Sequence, residues 1–570
     1  MNKDYALLYE QCIDLAANIP PEELAAGKLF HGDLYGAYAI ARLMRGKDIE
    51  GANRVLQRAA QYMDLPHPEG RCVTGENDFA AIRLTAALYL VRDKLQPETL
   101  ALVKRFLLER DFTSCFYSEN HVFMVHVARY LAAQALGEDF KQYHLTAAQA
   151  METDKTYMMD FIRFRAKRGV GEFTSSYLEE DLFMLGMLSN YCADAELKHM
   201  AQMGIDLLAL EAFNNLNAQG MLCGGSGRTY PDALLNPKSS VPSKLWAMLI
   251  EREPRLSTNF VLAPFVPDDF IIKAIKNRTF PCEVLERKHL HSMGAWQGNF
   301  HDDAWLEKLE QAGAISKYTY LCAEYGIGAI QHQDAYPEGN PDDAVYAHHQ
   351  QVEWSLVLPA KDEECSTKIF SHHPGDFGEH NYWSGDLKCC CNQSFATKDT
   401  VMTIYNITHP GELDFTHMFL ETAKYDEIRY EENWIFLRHE NRYIAVYIAG
   451  GYEVTAEGEF AGREIVSKGL QNAYICRIGL ESEYGSLDAF VQKIRSLPLA
   501  FDRRTMRLTF DNLYLTPVEN GVNGIKNRYP YPDVYLAPWC RSRWNAGVIE
   551  VFTDEGTVRL DFNCNRVTKI

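Results

Sequence analysis

Five short polar motifs punctuate the first half of the chain. They are His31-Gly32-Asp33, Glu76-Asn77-Asp78, Glu119-Asn120-His121, Gly171-Glu172-Phe173-Thr174 and Gly227-Arg228-Thr229-Tyr230. From His31, the steps to Glu76, Glu119, Glu172 and Arg228 are 45, 43, 53 and 56 residues. That is the length of two helices and their connections. Polar residues recurring at one point of a repeated helical unit converge at one end of the assembly. Convergent carboxylates, His, Asn, Arg and Tyr are the residue types of acid–base chemistry on a polar substrate.

Glu119-Asn120-His121 is the sharpest motif. A helix start needs only one capping group, yet three polar residues precede Val122-Phe123-Met124-Val125. Asn120 and His121 suit a substrate carboxylate, and Glu119 suits proton transfer. Glu172 and Tyr177 are five apart and would not share a face of one helix. With Glu172 in a loop and Tyr177 in the first turns, both would look into one cavity. Gly224-Gly225-Ser226-Gly227 leads into Arg228 and Tyr230. This loop lacks the Lys-Ser/Thr ending of a phosphate loop. Arg228 suits bidentate binding of a carboxylate, and Tyr230 suits acid–base catalysis. Glu76 and Asp78 read equally well as caps or as ligands of substrate hydroxyls. In the second half, Tyr382-Trp383-Ser384-Gly385 offers Trp383 for stacking on a sugar. Paired histidines there, such as His372-His373, fit a polar domain interface at least as well as a site.

The elements that must position these residues fall into two halves. Residues 1–275 read as helical. Pro97 to Leu107 is amphipathic, with Leu100, Val103 and Leu107 on one face. Asp181 to Leu188, and Val122 to Ala133, are apolar nearly all round, as buried helices are. An inner ring of buried helices inside an outer amphipathic ring is an (α/α) toroid, with a last hairpin expected near 240–275. The inner helices would start at the motifs, so their positive ends would face the site. Residues 276–570 show strand patterns at Val352–Leu358, Val401–Tyr405, Tyr443–Ile448 and Val558–Phe562 between Gly, Asn and Asp turns. The expected fold is α+β multidomain, an (α/α)6-type toroid followed by an antiparallel β-sandwich. A short helical insert is expected near 305–312 and a long loop at 331–350.

At 570 residues, two or more domains are expected. A net charge of −20 argues against nucleic acid and anionic membranes as partners. No segment reads as a signal peptide or membrane span. The 14 Cys show no disulfide-scaffold pattern, so a cytoplasmic setting is expected. Cys389-Cys390-Cys391 invites a zinc site with Cys322 and Glu324. Consecutive strand residues point to alternate faces, so structural thiols fit better and no metal or other cofactor is expected.

Ser118-Glu119-Asn120-His121, Gly171 to Tyr177 and Arg228-Thr229-Tyr230 resemble the six-hairpin carbohydrate-active enzymes. That group joins an (α/α) toroid to a C-terminal β-sandwich. It includes uronate-releasing glycoside hydrolases and heparinase- or alginate-lyase-like polysaccharide lyases. The resemblance implies an oligosaccharide substrate and two chemistries. In hydrolysis, Glu119 and Glu172 are the catalytic pair with Asp78 in reserve, and Asn120, His121 and Arg228 bind the sugar. In β-elimination, Asn120 and Arg228 neutralise a uronate while His121, Tyr177 or Tyr230 moves protons. Exo-acting hydrolysis of a terminal uronate is the leading expectation and elimination the alternative. A non-catalytic glycan-binding toroid is the third. A homo-oligomer is compatible with the sequence.

Overall fold

The computed structural model describes residues 3–19, 36–61, 77–109, 119–142, 144–289, 300–304, 306–307, 314–332, 352–360, 367–378, 381–384, 392–408 and 412–570. His31-Gly32-Asp33, Glu76, Cys389 to Cys391, nearly all of the 331–350 loop and most of the 305–312 insert lie outside the described residues.

Among the described residues, the longer helices and one short inner one carry the first half, besides a five-residue turn of helix at Pro231–Leu235. They are α1 (Lys3–Ala17), α2 (Ala37–Met44), α3 (Ile49–Gln61), α4 (Asn77–Leu90), α5 (Pro97–Glu109), α6 (Glu119–Leu136), α7 (Ala147–Arg168), α8 (Leu178–Tyr191), α9 (Ala195–Phe213), α10 (Val241–Leu249), α11 (Thr258–Leu262) and α12 (Asp269–Lys276). α2, α4, α6, α8 and α11 pack in succession, and α11 returns to α2 and α1. That contact closes the ring where the last hairpin was expected. α1, α3, α5, α7 and α9 lie outside it.

The sequence explains the layering. In α6, Val122 to Ala128 are all buried, because an inner helix has neighbours on every side. α5 buries only Thr99, Val103, Phe106 and Leu107, one stripe of an outer helix. α9 is an outer helix that is buried from Met203 to Phe213. Its second face is covered by the β-half rather than by water. Side-chain caps fix several starts. Thr146 and Gln149 form a capping box on α7, and Asp194 accepts from the Leu197 N–H at 2.9 Å on α9.

The second half is built on antiparallel strands: β1 (Cys282–His289), β2 (Ala314–Leu321), β3 (Gly326–His332), β4 (Trp354–Leu358), β5 (Thr367–His372), β6 (Asn392–Ala396), β7 (Thr400–Asn406), β8 (Phe415–Phe419), β9 (Glu427–Glu431), β10 (Trp434–His439), β11 (Arg442–Ile448), β12 (Glu453–Val454), β13 (Glu464–Lys468) and β14 (Gln471–Leu480). A long sheet runs β12-β13-β8-β5-β4-β3-β2-β1 and continues into the C-terminal strands of residues 533–569. A six-stranded sheet runs β9-β10-β11-β14-β7-β6. The two pack face to face through Ile327, Trp354, Leu356, Ile369 and Met418 against Tyr405, Ile435, Ile444, Val446 and Tyr474. Alternation sends the other residues of β3 to β5 toward the helices. Ser355 donates to the Gly224 carbonyl at 2.8 Å, and Lys368 donates to that of Leu234 at 3.3 Å.

Four charged side chains lie at this junction with no exposed surface. Lys288 pairs with Glu211 of α9 and, at 3.3 Å, with Glu286. Lys317 pairs with Glu286 at 3.1 Å. Asn215 donates to Glu286 at 2.8 Å and accepts from Thr319 at 2.7 Å. The segment leading from α9 to Arg228 is thereby fixed to the sheet.

Candidate active site

The inner helices deliver the motif residues to one end of the ring because α4, α6 and α8 begin there. Asp78 lies in the first turn of α4, Glu119 to His121 open α6, and Tyr177 immediately precedes α8. α7 runs back from the far end, so its last turn brings Arg165 to the same place.

Glu119 and Glu172 are bound together through the backbone. Glu119 Oε2 accepts from the Glu172 N–H at 2.9 Å. Glu172 Oε2 accepts from the Asn120 N–H at 3.2 Å and from its side-chain amide at 2.8 Å. Glu119 Oε1 accepts from Arg165 Nε at 2.6 Å, and Asp181 Oδ2 accepts from Arg165 Nη2 at 2.8 Å. Glu119 is 0 % exposed. The sequence reading has Glu119 act on substrate. Both its oxygens are occupied and it is sealed from solvent, so it positions the loop that carries Glu172.

Burial, with Glu119 and Asp181 nearby, pushes the Glu172 carboxyl up to about 8. Burial likewise raises Asp181 to about 7 against the pull of Arg165. His121 Nδ1 lies 2.5 Å from Asp78 Oδ2. Burial works against the charged imidazolium, but Asp78 outweighs it and the His121 pKa is raised. The ring of Phe79 meets that of His121 edge-on at 5.3 Å.

The loops of Glu172 and Arg228 form one unit. The Gly227 N–H donates to the Phe173 carbonyl at 2.9 Å, and the Ser176 N–H donates to the Arg228 carbonyl at 3.0 Å. Thr174 between them has φ of 43°, a strained conformation for a β-branched residue. This pairing sets Tyr177 Oη 2.6 Å from Tyr230 Oη. The Arg228 guanidinium lies 5.2 Å from the Tyr230 ring centre and 6.0 Å from that of Tyr177. Burial raises the Tyr177 pKa. Arg228 Nε and Asn120 Oδ1 are buried with no hydrogen-bond partner among the described residues, as groups reserved for a ligand are.

The structure thus gathers Asp78, Asn120, His121, Glu172, Tyr177, Arg228 and Tyr230. Trp383 is not among them. It is 1 % exposed, stacks on His417 at 3.9 Å and packs with Leu234, Phe370 and Phe419, so no ring face is left for a sugar. Its neighbour Ser384, at the end of the short helix Asn381–Ser384, donates to the Thr229 carbonyl at 2.9 Å. Sequence reasoning missed Arg165, Asp181, Arg83 and Glu180. Arg165 looks like an ordinary basic residue in a last helical turn. Only the antiparallel return of α7 reveals its role. Arg83 donates to Glu180 at 3.0 Å and to Asn259 at 2.9 Å, linking α4, α8 and α11.

No family model matches the chain, and no curated protein matches it. Among solved structures, one titled heparinase III is similar over 91 % of this chain and 84 % of its own, at 10 % identity and a TM-score of 0.36. A second, the heparinase III-BT4657 gene product, is similar over 88 % of this chain and 83 % of its own, at 11 % identity and a TM-score of 0.28. A likeness this distant carries no inference about activity.

Proposed function

We propose that the chain is a carbohydrate-active enzyme that cleaves uronate-containing oligosaccharides by β-elimination. The tyrosine pair beneath Arg228 carries this reading. Elimination needs a cation to neutralise the uronate, a base for the C5 proton and an acid for the departing oxygen. Arg228 and the Asp78-supported His121 supply positive charge, and Asn120 supplies an amide. Tyr177, kept protonated by burial, gives Tyr230 a hydrogen bond, and Tyr230, reacting as the phenolate beside Arg228, takes the C5 proton. The C4–oxygen bond then breaks, a C4–C5 double bond forms, and the Tyr177 hydroxyl gives its own proton to the leaving oxygen, to be replaced across the 2.6 Å contact by the proton Tyr230 took from C5.

One observation favours hydrolysis. Glu172, raised to about 8, is protonated at neutral pH as a general acid must be. Hydrolysis also needs a second carboxylate facing substrate. Glu119 and Asp181 are tied to Arg165, Asp78 to His121 and Glu180 to Arg83. Elimination therefore fits the set better.

The test is incubation with a panel of glucuronate-, iduronate- and mannuronate-containing oligosaccharides, following the ultraviolet absorbance of the unsaturated uronate. Rising absorbance, lost in Tyr230→Phe, is expected. Saturated products without that absorbance would reject elimination.

A further inference from the structure

A second recess lies on the mouth of the ring, and the elimination chemistry does not use it. It encloses about 250 Å³ between Glu179, Lys244, Met248, Arg255, Leu256 and Ser257. Glu179 stands in the first turn of α8, Lys244 and Met248 on α10, and Ser257 caps α11. It therefore opens at the end of the ring that holds His121 and Tyr177. A continuous wall joins the two places. The Phe79 ring meets His121, Arg83 lies 5.4 Å from the Phe79 ring centre, and Arg83 binds Glu180, the residue after Glu179.

Three kinds of surface meet in the recess. Met248 and Leu245 give it an apolar floor, and Leu256 stands 43 % exposed at its edge. Glu179 Oε1 accepts from Ser257 Oγ at 2.5 Å, and Ser257 Oγ accepts from the Phe260 N–H at 3.1 Å, so the carboxyl is fixed in place. Two cations complete it. Lys244 is exposed and makes no ion pair among the described residues. Among the described residues, Arg255 pairs with the exposed Glu253 alone, at 2.6 Å. An apolar face, one fixed carboxyl and two exposed cations match one sugar ring: its C–H face, its hydroxyls and an anionic substituent. The volume is below the roughly 300–1,000 Å³ of drug-sized sites, so it suits one ring and not a chain.

We infer that this recess is a separate subsite for one anionic sugar unit, carrying a carboxylate or a sulfate, beyond the two units joined by the cleaved bond. The inference rests on the elimination reading for what the neighbouring units undergo. It makes the enzyme selective for oligosaccharides longer than a disaccharide and charged along their length.

The experiment compares wild type, Lys244→Met and Lys244→Arg on a uronate disaccharide and the tetrasaccharide of the same linkage. Lys244→Met should raise KM for the tetrasaccharide roughly five- to tenfold, the worth of one partly exposed charged hydrogen bond. It should leave kcat and the disaccharide KM unchanged, and Lys244→Arg should retain most of the affinity. Calorimetric titration of the tetrasaccharide into the Tyr177→Phe, Tyr230→Phe protein should show the same loss on adding Lys244→Met. An O-sulfated tetrasaccharide run beside the unsulfated one shows which anion the cations recognise. Equal changes for disaccharide and tetrasaccharide, no change for either tetrasaccharide, or no tetrasaccharide binding would overturn the subsite. Lys244-dependent binding without any turnover would uphold the subsite and reject elimination alone.

Discussion

Glu119 accepts a hydrogen bond from the backbone of Glu172, while Glu172 accepts one from the residue that follows Glu119. Two motifs about fifty residues apart thus hold each other by reciprocal carboxylate-to-backbone bonds. Arg165 anchors the arrangement by neutralising Glu119 and Asp181 together. Arg165→Met leaves two carboxylates buried without a counter-charge. Removing one partner from such a set costs about 3–5 kcal/mol. Chemical denaturation should show a loss of that size. A cost below about 1 kcal/mol, the worth of a surface pair, would reject the anchoring role.

Tyr177 and Tyr230 share a 2.6 Å hydroxyl contact. Phe at either position keeps the ring packing and removes the proton carrier. Tyr230→Phe and Tyr177→Phe should each lower kcat by roughly 10²–10⁴-fold with little change in KM, the scale of lost acid–base catalysis. Steady-state kinetics on the substrate identified by the panel decide it. Full activity in both variants would remove the tyrosines from the mechanism.

Gly227 meets Phe173 so closely that a Cβ would lie 2.4 Å from the Phe173 carbonyl oxygen. Gly227→Ala must separate the two loops and shift Arg228. A shift of about 1 Å in a positioning group costs on the order of 10²-fold in rate. The variant should therefore lose activity, while circular dichroism still reports the wild-type helical content. Unchanged kinetics would mean that the loop pairing does not set the site.

The layering was legible from periodicity. The all-round apolar character of residues 122–133 and 181–188 marked inner helices, and the stripe of residues 97–107 marked an outer one. The convergence of Asp78, Asn120, His121, Glu172, Tyr177 and Arg228 followed from their recurrence at helix starts. The surroundings of single side chains were less legible. Glu119 looks like a catalytic acid because its motif is polar, and only its partners show that it is committed. Trp383 looks like a sugar platform because it is flanked by Tyr and Ser. It lies in a short helix, Asn381–Ser384, and its stacking partner His417 comes from β8, more than thirty residues further on. Arg165 and Arg83 gave no local signal, since their partners come from other hairpins.

The junction of the two halves offers a balanced set of charges. Lys317 and Lys288 face Glu286 and Glu211 with no exposed surface, and the two lysines hold Glu286 ionised, near 2. Lys317→Met leaves an excess negative charge in the interface and should cost about 3–5 kcal/mol. Adding Glu286→Leu removes the imbalance and leaves Lys288 with Glu211, so the double variant should regain much of that loss. Denaturation of the single and double variants measures it. A double variant less stable than the single would show that hydrogen bonding from Asn215 to Glu286, rather than charge balance, governs the junction.

Stability should fall as pH rises through the neutral range. Glu172 has an ordinary value of 4.5 and reaches about 8 in the folded chain, and Asp181 goes from 3.8 to about 7. Between those limits the folded chain holds protons that the unfolded chain has released, so each unit of pH weakens the fold. His121 is raised as well, and its contribution is present below 6.5 and lost above its folded value, which has the same sign. The contribution of Glu172 is complete below about pH 4.5 and disappears as pH passes about 8. Glu172→Gln keeps an uncharged group there at every pH. Its melting temperature should decline less than that of wild type between pH 5 and pH 9, and the two curves should converge toward acid. Parallel curves would mean that the Glu172 carboxyl is ionised throughout, and the case for a protonated acid at this site would fall with it.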